Sequence, residues 1–186
     1  MRVIAGSAGG LTLAPPGKGT RPTMDRVREA IFSSLGDSVP ESRVLDLFAG
    51  SGALGIEALS RGAITAVFVE HHAPTAGLIR RNLQTTGLQG SVQQMDAFRF
   101  LDLYAPEGGF DLIFADPPYV KRNGDAGENA ADLLLAHPKL PGALSGNGIL
   151  VLESERRQPL PSLAAWKILT DRSYGESRIL FLTPAP

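Results

Sequence analysis

The chain has 186 residues, 43% of them hydrophobic and 20% charged, with a formal net charge of −1. That length suits one domain with a sizeable core, and the near balance of charge gives no global signal for a polyanionic partner. The absence of cysteine excludes disulfides, thiolate zinc sites and cysteine nucleophiles, and fits a reducing compartment.

The distribution of charge says more than its sum. Residues 1–36 carry five Arg or Lys against two acids, leaving thirteen against seventeen in the rest. The basic end is a candidate nucleic-acid face, set against the plainer account of a solvated charged helix. The N-terminus lacks the apolar core of a signal peptide and no apolar run has membrane-spanning length, so a soluble cytoplasmic protein without membrane contact is expected.

In chain order, residues 2–5 and 11–14 read as short strands of a hairpin around a Gly-rich turn, and Pro15 to Gly19 breaks regular structure. Thr23 or Asp25 is placed to cap a helix running to Leu35, with Val27, Ala30, Ile31 and Leu35 as its buried stripe. Residues 36–42 read as a linker, so the chain divides into an extension, 1–36, and a main domain, 37–186. From Arg43 the pattern alternates: strands near 43–48, 64–70, 90–95, 110–115 and 147–153, and helices near 52–61, 73–86, 97–104 and 128–137. That series predicts an α/β, Rossmann-like fold with a mostly parallel sheet covered on both faces. Trp166–Leu169 and Arg178–Leu182 leave almost no room for a helix between them, which predicts an antiparallel hairpin at the sheet edge. Residues 121–128, polar and containing glycine, read as the most flexible surface segment.

The pivot is Val44 to Gly55. A buried-type strand passes into Gly50-Ser51-Gly52-Ala53-Leu54-Gly55 and then into the apolar face of a helix. This order suits a nucleotide-type ligand at helix N-terminal amides, with Gly50 and Gly52 making the turn and Gly55 letting helix and strand pack closely. Glu70, about twenty residues past the first glycine and at the end of the second strand, is placed to accept from two ribose hydroxyls. Asp96, at the end of the third, is placed either to meet a purine amino group or to cap the helix beginning at Ala97. After the fourth strand comes Asp116-Pro117-Pro118-Tyr119. Neither proline has an N–H, so Asp116 and the Pro117 carbonyl are acceptors side by side, with the flat face of Tyr119 next to them. Two acceptors and an aromatic platform suit a planar base or amide bearing an exocyclic NH2, held unpaired or flipped out of a duplex. If the fourth strand lies beside the first, this corner faces the glycine turn across one sheet edge. Without cysteine, covalent attack on a pyrimidine is excluded and transfer to nitrogen is favoured.

Asp46–Gly55, Phe110–Tyr119 and Thr20-Arg21-Pro22-Thr23 through Ala30 together resemble the bacterial 16S rRNA guanine-N2 methyltransferases, over nearly the whole chain. The resemblance implies a Rossmann-like class I methyltransferase with a seven-stranded sheet, S-adenosylmethionine as donor with S-adenosylhomocysteine as product, and no metal. It implies a donor site of Asp46, Phe48, Ala49, Gly50, Ser51, Gly52, Glu70, Asp96 and Ala97, with Arg21 and Thr23 facing it from the extension. Asp116, Pro117, Pro118 and Tyr119 would be the catalytic loop. Arg2, Lys18, Arg26, Lys121 and Arg122 would meet RNA, and a monomer acting on 16S rRNA in the small ribosomal subunit or its assembly intermediate is expected. Three alternatives stand beside this reading: the same chemistry on adenine N6 or a protein glutamine, a nicotinamide-dependent oxidoreductase, and a noncatalytic RNA-binding module.

Overall fold

The computed structural model describes residues 1–15, 22–118, 129–157, 159 and 163–186, with the backbone alone for 22–24. Seven strands form one sheet: β1 (Arg43–Leu47), β2 (Thr65–Val69), β3 (Ser91–Gln93), β4 (Phe110–Ala115), β5 (Leu144–Glu155), β6 (Trp166–Tyr174) and β7 (Ser177–Pro184). Their spatial order is β3-β2-β1-β4-β5-β7-β6, with β7 antiparallel to both neighbours and the first five strands parallel. Winding therefore reverses between β1 and β4, which makes their carboxyl ends the natural crevice of the sheet. The central strands are apolar on both faces, as a sheet covered on two sides requires: Val44, Leu45, Leu112, Ile113 and Phe114 are all at most 1% exposed.

Helices α1 (Pro22–Leu35), α2 (Ala53–Ser60) and α3 (Ala73–Thr86) cover one face, their Phe32, Ile56 and Ile79 meeting Val44, Phe68 and Phe114. Helices α4 (Ala97–Leu103), α5 (Ala130–Leu135) and α6 (Leu140–Ala143) cover the other, where Leu101 and Leu134 meet Leu45, Ile113 and Leu150. Residues Val3, Ala8 and Leu13 belong to the first of these cores, so the N-terminal segment packs against the sheet layer rather than apart from it. The two expected N-terminal strands pair through one bridge, Arg2 with Thr12, and through Val3 and Leu13 N–H groups bonded to Leu11 and Met1 carbonyls.

Several boundaries differ from the sequence expectation for physical reasons. α1 begins at Pro22, before both proposed caps; a proline is tolerated in a first turn because its missing N–H has no helical partner there. Asp25 instead bonds Arg28 one turn on. The linker holds a 3₁₀ turn, Gly36–Ser38, and a fully buried Val39. α6 is an extra single turn, over a Pro-Gly pair that reads as a breaker. Among the described residues no helix is long and apolar enough to cross a membrane.

Candidate active site

The register of the sheet brings the two marked loops to one edge. Leu47 pairs with Val69 on one side and Ala115 on the other, and Ala115 pairs with Leu152. The next residues along, Glu70, Phe48, Asp116 and Glu153, thus form a row across the carboxyl ends of β2, β1, β4 and β5. Side chains alternate along strands, so Asp46 and Glu153 point to the face that also takes Phe68, Phe114 and Val151. The glycine turn and the Asp-Pro-Pro corner are neighbours, as the crevice requires.

The turn after β1 is held at both ends. Phe48 has a positive φ of 59°, a conformation costly for a bulky side chain, and its ring stands edge-on to Phe98 with centroids 6.1 Å apart. Ala49 N–H donates to the Val69 carbonyl and Gly52 N–H to the Ala49 carbonyl, so the chain reverses tightly into α2. Gly50 has a φ of +55° and a Cβ there would find only the Phe48 carbonyl at 4.0 Å, which leaves open space beside the loop for a ligand. At Gly55 the opposite holds: a Cβ would stand 2.3 Å from the Phe68 ring, so α2 lies on β2 as closely as backbone allows.

Acids define the charge of the crevice. Asp46, 2% exposed, accepts from Gly55 N–H at 2.9 Å. Burial pushes its carboxyl up to about 8 against that hydrogen bond, with the charges of Asp116 and Glu70 adding to the rise. Glu70, 7% exposed, accepts Gly50 N–H on one oxygen and His72 N–H on the other. His71 Nδ1 also stands 3.3 Å from the oxygen that accepts His72, so the oxygen beside Gly50 is the one aimed to accept from a ribose hydroxyl. Asp116 opens to solvent on the cleft side, yet the surrounding protein first, and then the charge of Glu153, push it up to about 7. Pro117 is buried beside it and Pro118 exposed. Asp96 caps α4, accepting Arg99 N–H at 3.0 Å, and is exposed with its second oxygen free of that bond; Ala97 is buried. Ser51 is buried, its hydroxyl near the Met1 sulfur.

Arg2 and Arg26 are exposed. Lys18, Arg21, Tyr119, Lys121 and Arg122 lie outside the described residues, as does the segment 121–128, and of Thr23 only the backbone in α1 is described. Among the described residues no cluster of three or more His, Cys, Asp or Glu is arranged to hold a metal ion.

Three supporting residues escaped the sequence reading. Asn82, 1% exposed, donates to the Ser51 and Ala14 carbonyls and accepts Ala14 N–H, tying the glycine turn to the N-terminal segment. Glu57, fully buried, accepts Ile4 and Ala5 N–H groups and Arg61, with Arg28 Nε 3.7 Å away. Glu153 accepts the Ser177 hydroxyl. The signal was present each time: a polar residue at helical spacing from Leu78 and Ile79, an acid inside the apolar face of α2, and an acid ending the run Ile149–Leu152.

A sheet wound in this order, with its one reversed strand next to the edge and a glycine turn facing an acidic corner, has the architecture of a Rossmann-like class I methyltransferase. The relatives agree. Residues 1–183 match the model of the family described as Conserved hypothetical protein 95, and the chain belongs to that family. It is 40% identical to the protein YlbH of Bacillus subtilis over 180 residues, covering 94% of each chain. It is 35% identical to Ribosomal RNA small subunit methyltransferase D of Escherichia coli, over 95% of this chain and 86% of that one. The solved structure of a hypothetical protein of Thermus thermophilus, TTHA0928, superposes with a TM-score of 0.81 at 30% identity, covering 100% of this chain and 99% of that one. Fold and family together make the chain a methyltransferase.

Proposed function

We propose that the protein transfers a methyl group from S-adenosylmethionine to the exocyclic N2 amine of a guanine in 16S rRNA. The observation that carries this is the shared edge: the open glycine turn with Glu70 beside it, and Asp116 with the Pro117 carbonyl one strand away. The names of the relatives supply the reaction class, and that of the E. coli relative supplies the small-subunit rRNA.

The residues present fit the donor. Gly50 leaves room for close approach, Glu70 is aimed beside it, and Asp46 and Asp116 are further acids whose ionisation a bound cation favours. When bound, S-adenosylmethionine supplies an already activated, sulfonium-borne methyl. The chain's task is therefore positioning. An aromatic amine is a poor nucleophile because its lone pair is delocalised; acceptance of its two N–H bonds by Asp116 and the Pro117 carbonyl favours pyramidal nitrogen and steers the lone pair toward the donor. Tyr119 is assigned the stacking platform for the base, and Asp96 with Ala97 the adenine of the donor. The extension 1–36 is assigned to the RNA, with exposed Arg2 and Arg26 on phosphates, joined by Lys18, Lys121 and Arg122, and with Arg21 and Thr23 toward the donor. A nicotinamide oxidoreductase would leave the acidic corner without a task.

Incubation of unmethylated small-subunit rRNA, free and assembled, with enzyme and donor should yield N2-methylguanosine on nucleoside mass spectrometry. Methyl label in adenosine, or in protein alone, rejects the substrate assignment. Arg26→Ala should also reduce the salt dependence of RNA binding by roughly one phosphate's worth of slope; an unaltered slope removes Arg26 from the interface.

A further inference from the structure

Glu153 is the one acid of the carboxyl-edge row to which the function above gives no task. Parallel strands lie about 4.8 Å apart, so residues level on β4 and β5 are in each other's field. Asp116 follows Ala115, and Glu153 follows its partner Leu152. Glu153 is half-buried, and Ser177, two residues along β7 from the Glu153 partner Ile179 and on the same face, donates its hydroxyl to Oε1 at 2.7 Å. We propose that Glu153 is a positioning residue for methyl transfer, whose charge, fixed beside Asp116 by the strand register and by Ser177, makes Asp116 the group that takes the amine proton.

The chemistry rests on the proposed methyl transfer. As the nitrogen–methyl bond forms and the sulfur–methyl bond breaks, the electron pair of the broken bond stays on sulfur and the nitrogen becomes cationic. Its surplus proton passes to the Asp116 carboxylate and later to solvent. Two like charges side by side favour one proton between them, and a hydroxyl donated to one carboxylate stabilises charge on that member. Glu153 receives the hydroxyl, so the proton is directed to Asp116. The described charged groups on this face include Asp46 on β1, Glu70 after β2, Glu153 and Glu155 on β5, Glu57 with Arg61 on α2, and Arg172 on β6, which is level with Glu153 across Ile179 and donates to the Ser34 hydroxyl of α1. From α1 comes Arg28, already engaged by Asp25, the Arg2 carbonyl and Glu57. Of these, the charge of Glu153 raises Asp116, and Asp46 and Asp116 repel each other as well.

The test reads Asp116 directly in the free, full-length protein, through the carboxyl 13C signal assigned with Asp116→Asn. In Glu153→Gln the Asp116 midpoint should fall by about one pH unit or more. Ser177→Ala should move it the same way by less, and serves alone if Glu153→Gln does not fold. An unmoved midpoint overturns the proposal. In methyl-transfer assays the acid limb of the pH–rate profile should shift down by the same amount in Glu153→Gln, with a lower plateau, because a weaker base accepts the proton. Wild-type protein that transfers no methyl would reject the function, while the 13C titration would still decide the role of Glu153.

Discussion

Asp46 shows how the site costs the fold something. Its carboxyl lies on a central strand, accepts one backbone N–H and is otherwise walled in, so burial raises it from an ordinary 3.8 to about 8. The folded state thus holds a proton that the unfolded chain releases near pH 4. This contribution to stability is fully present below about pH 4 and is lost as pH rises through about 8. Asp46→Asn keeps an oxygen for Gly55 N–H and removes the titration. Urea unfolding at about pH 5 and about pH 8 should therefore show a smaller loss of stability on raising the pH in the variant than in wild type. Parallel losses in the two proteins would show that Asp46 is ionised throughout. In the free protein Asp46 thus keeps its proton at neutral pH, and a bound cation would favour its ionisation.

At the scale of elements, the N-terminal segment is fastened to the sheet layer by α2. Glu57 gathers Ile4 N–H, Ala5 N–H and Arg61, with Arg28 alongside, and Ser60 bonds the backbone of Ala5, Ser7 and Ala8. Glu57→Ala would strand two backbone donors and leave the buried guanidinium of Arg28 with Asp25 as its acidic partner. Such a loss costs about 3–5 kcal/mol by chemical denaturation, with amide protection at Ile4 and Ala5 lost first. A cost under about 1 kcal/mol would mean that the segment is held by its apolar contacts alone. The alternation of strands and helices from Arg43 onward was readable because the central strands are mostly apolar, with Asp46 and Asp111 as their breaks, and each long helix keeps one apolar stripe. Glu57 and Asn82 were hidden, since a polar residue on an apolar helix face is interpreted only once its partner is known, and those partners lie 52 and 68 residues away. The pairing of β5 with β7, not β6, is likewise a property of the sheet and not of either strand.

For the whole molecule, the glycine turn and the Asp-Pro-Pro corner were legible as motifs. Their facing each other depended on β1 and β4 being neighbours, which the sheet order supplies. Glu153 became visible as a neighbour of Asp116 only through the β4–β5 register. The proposed enzyme follows from that convergence: donor at one bend, amine at the next, and the chain contributing orientation and charge in place of a covalent nucleophile. The most direct test is single-turnover methyl transfer to small-subunit rRNA by wild type and Asp116→Ala, with donor affinity measured calorimetrically on the same preparations. The predicted result is a rate lower by about 10²–10⁴-fold with donor binding largely kept. An undiminished rate in Asp116→Ala would contradict the account.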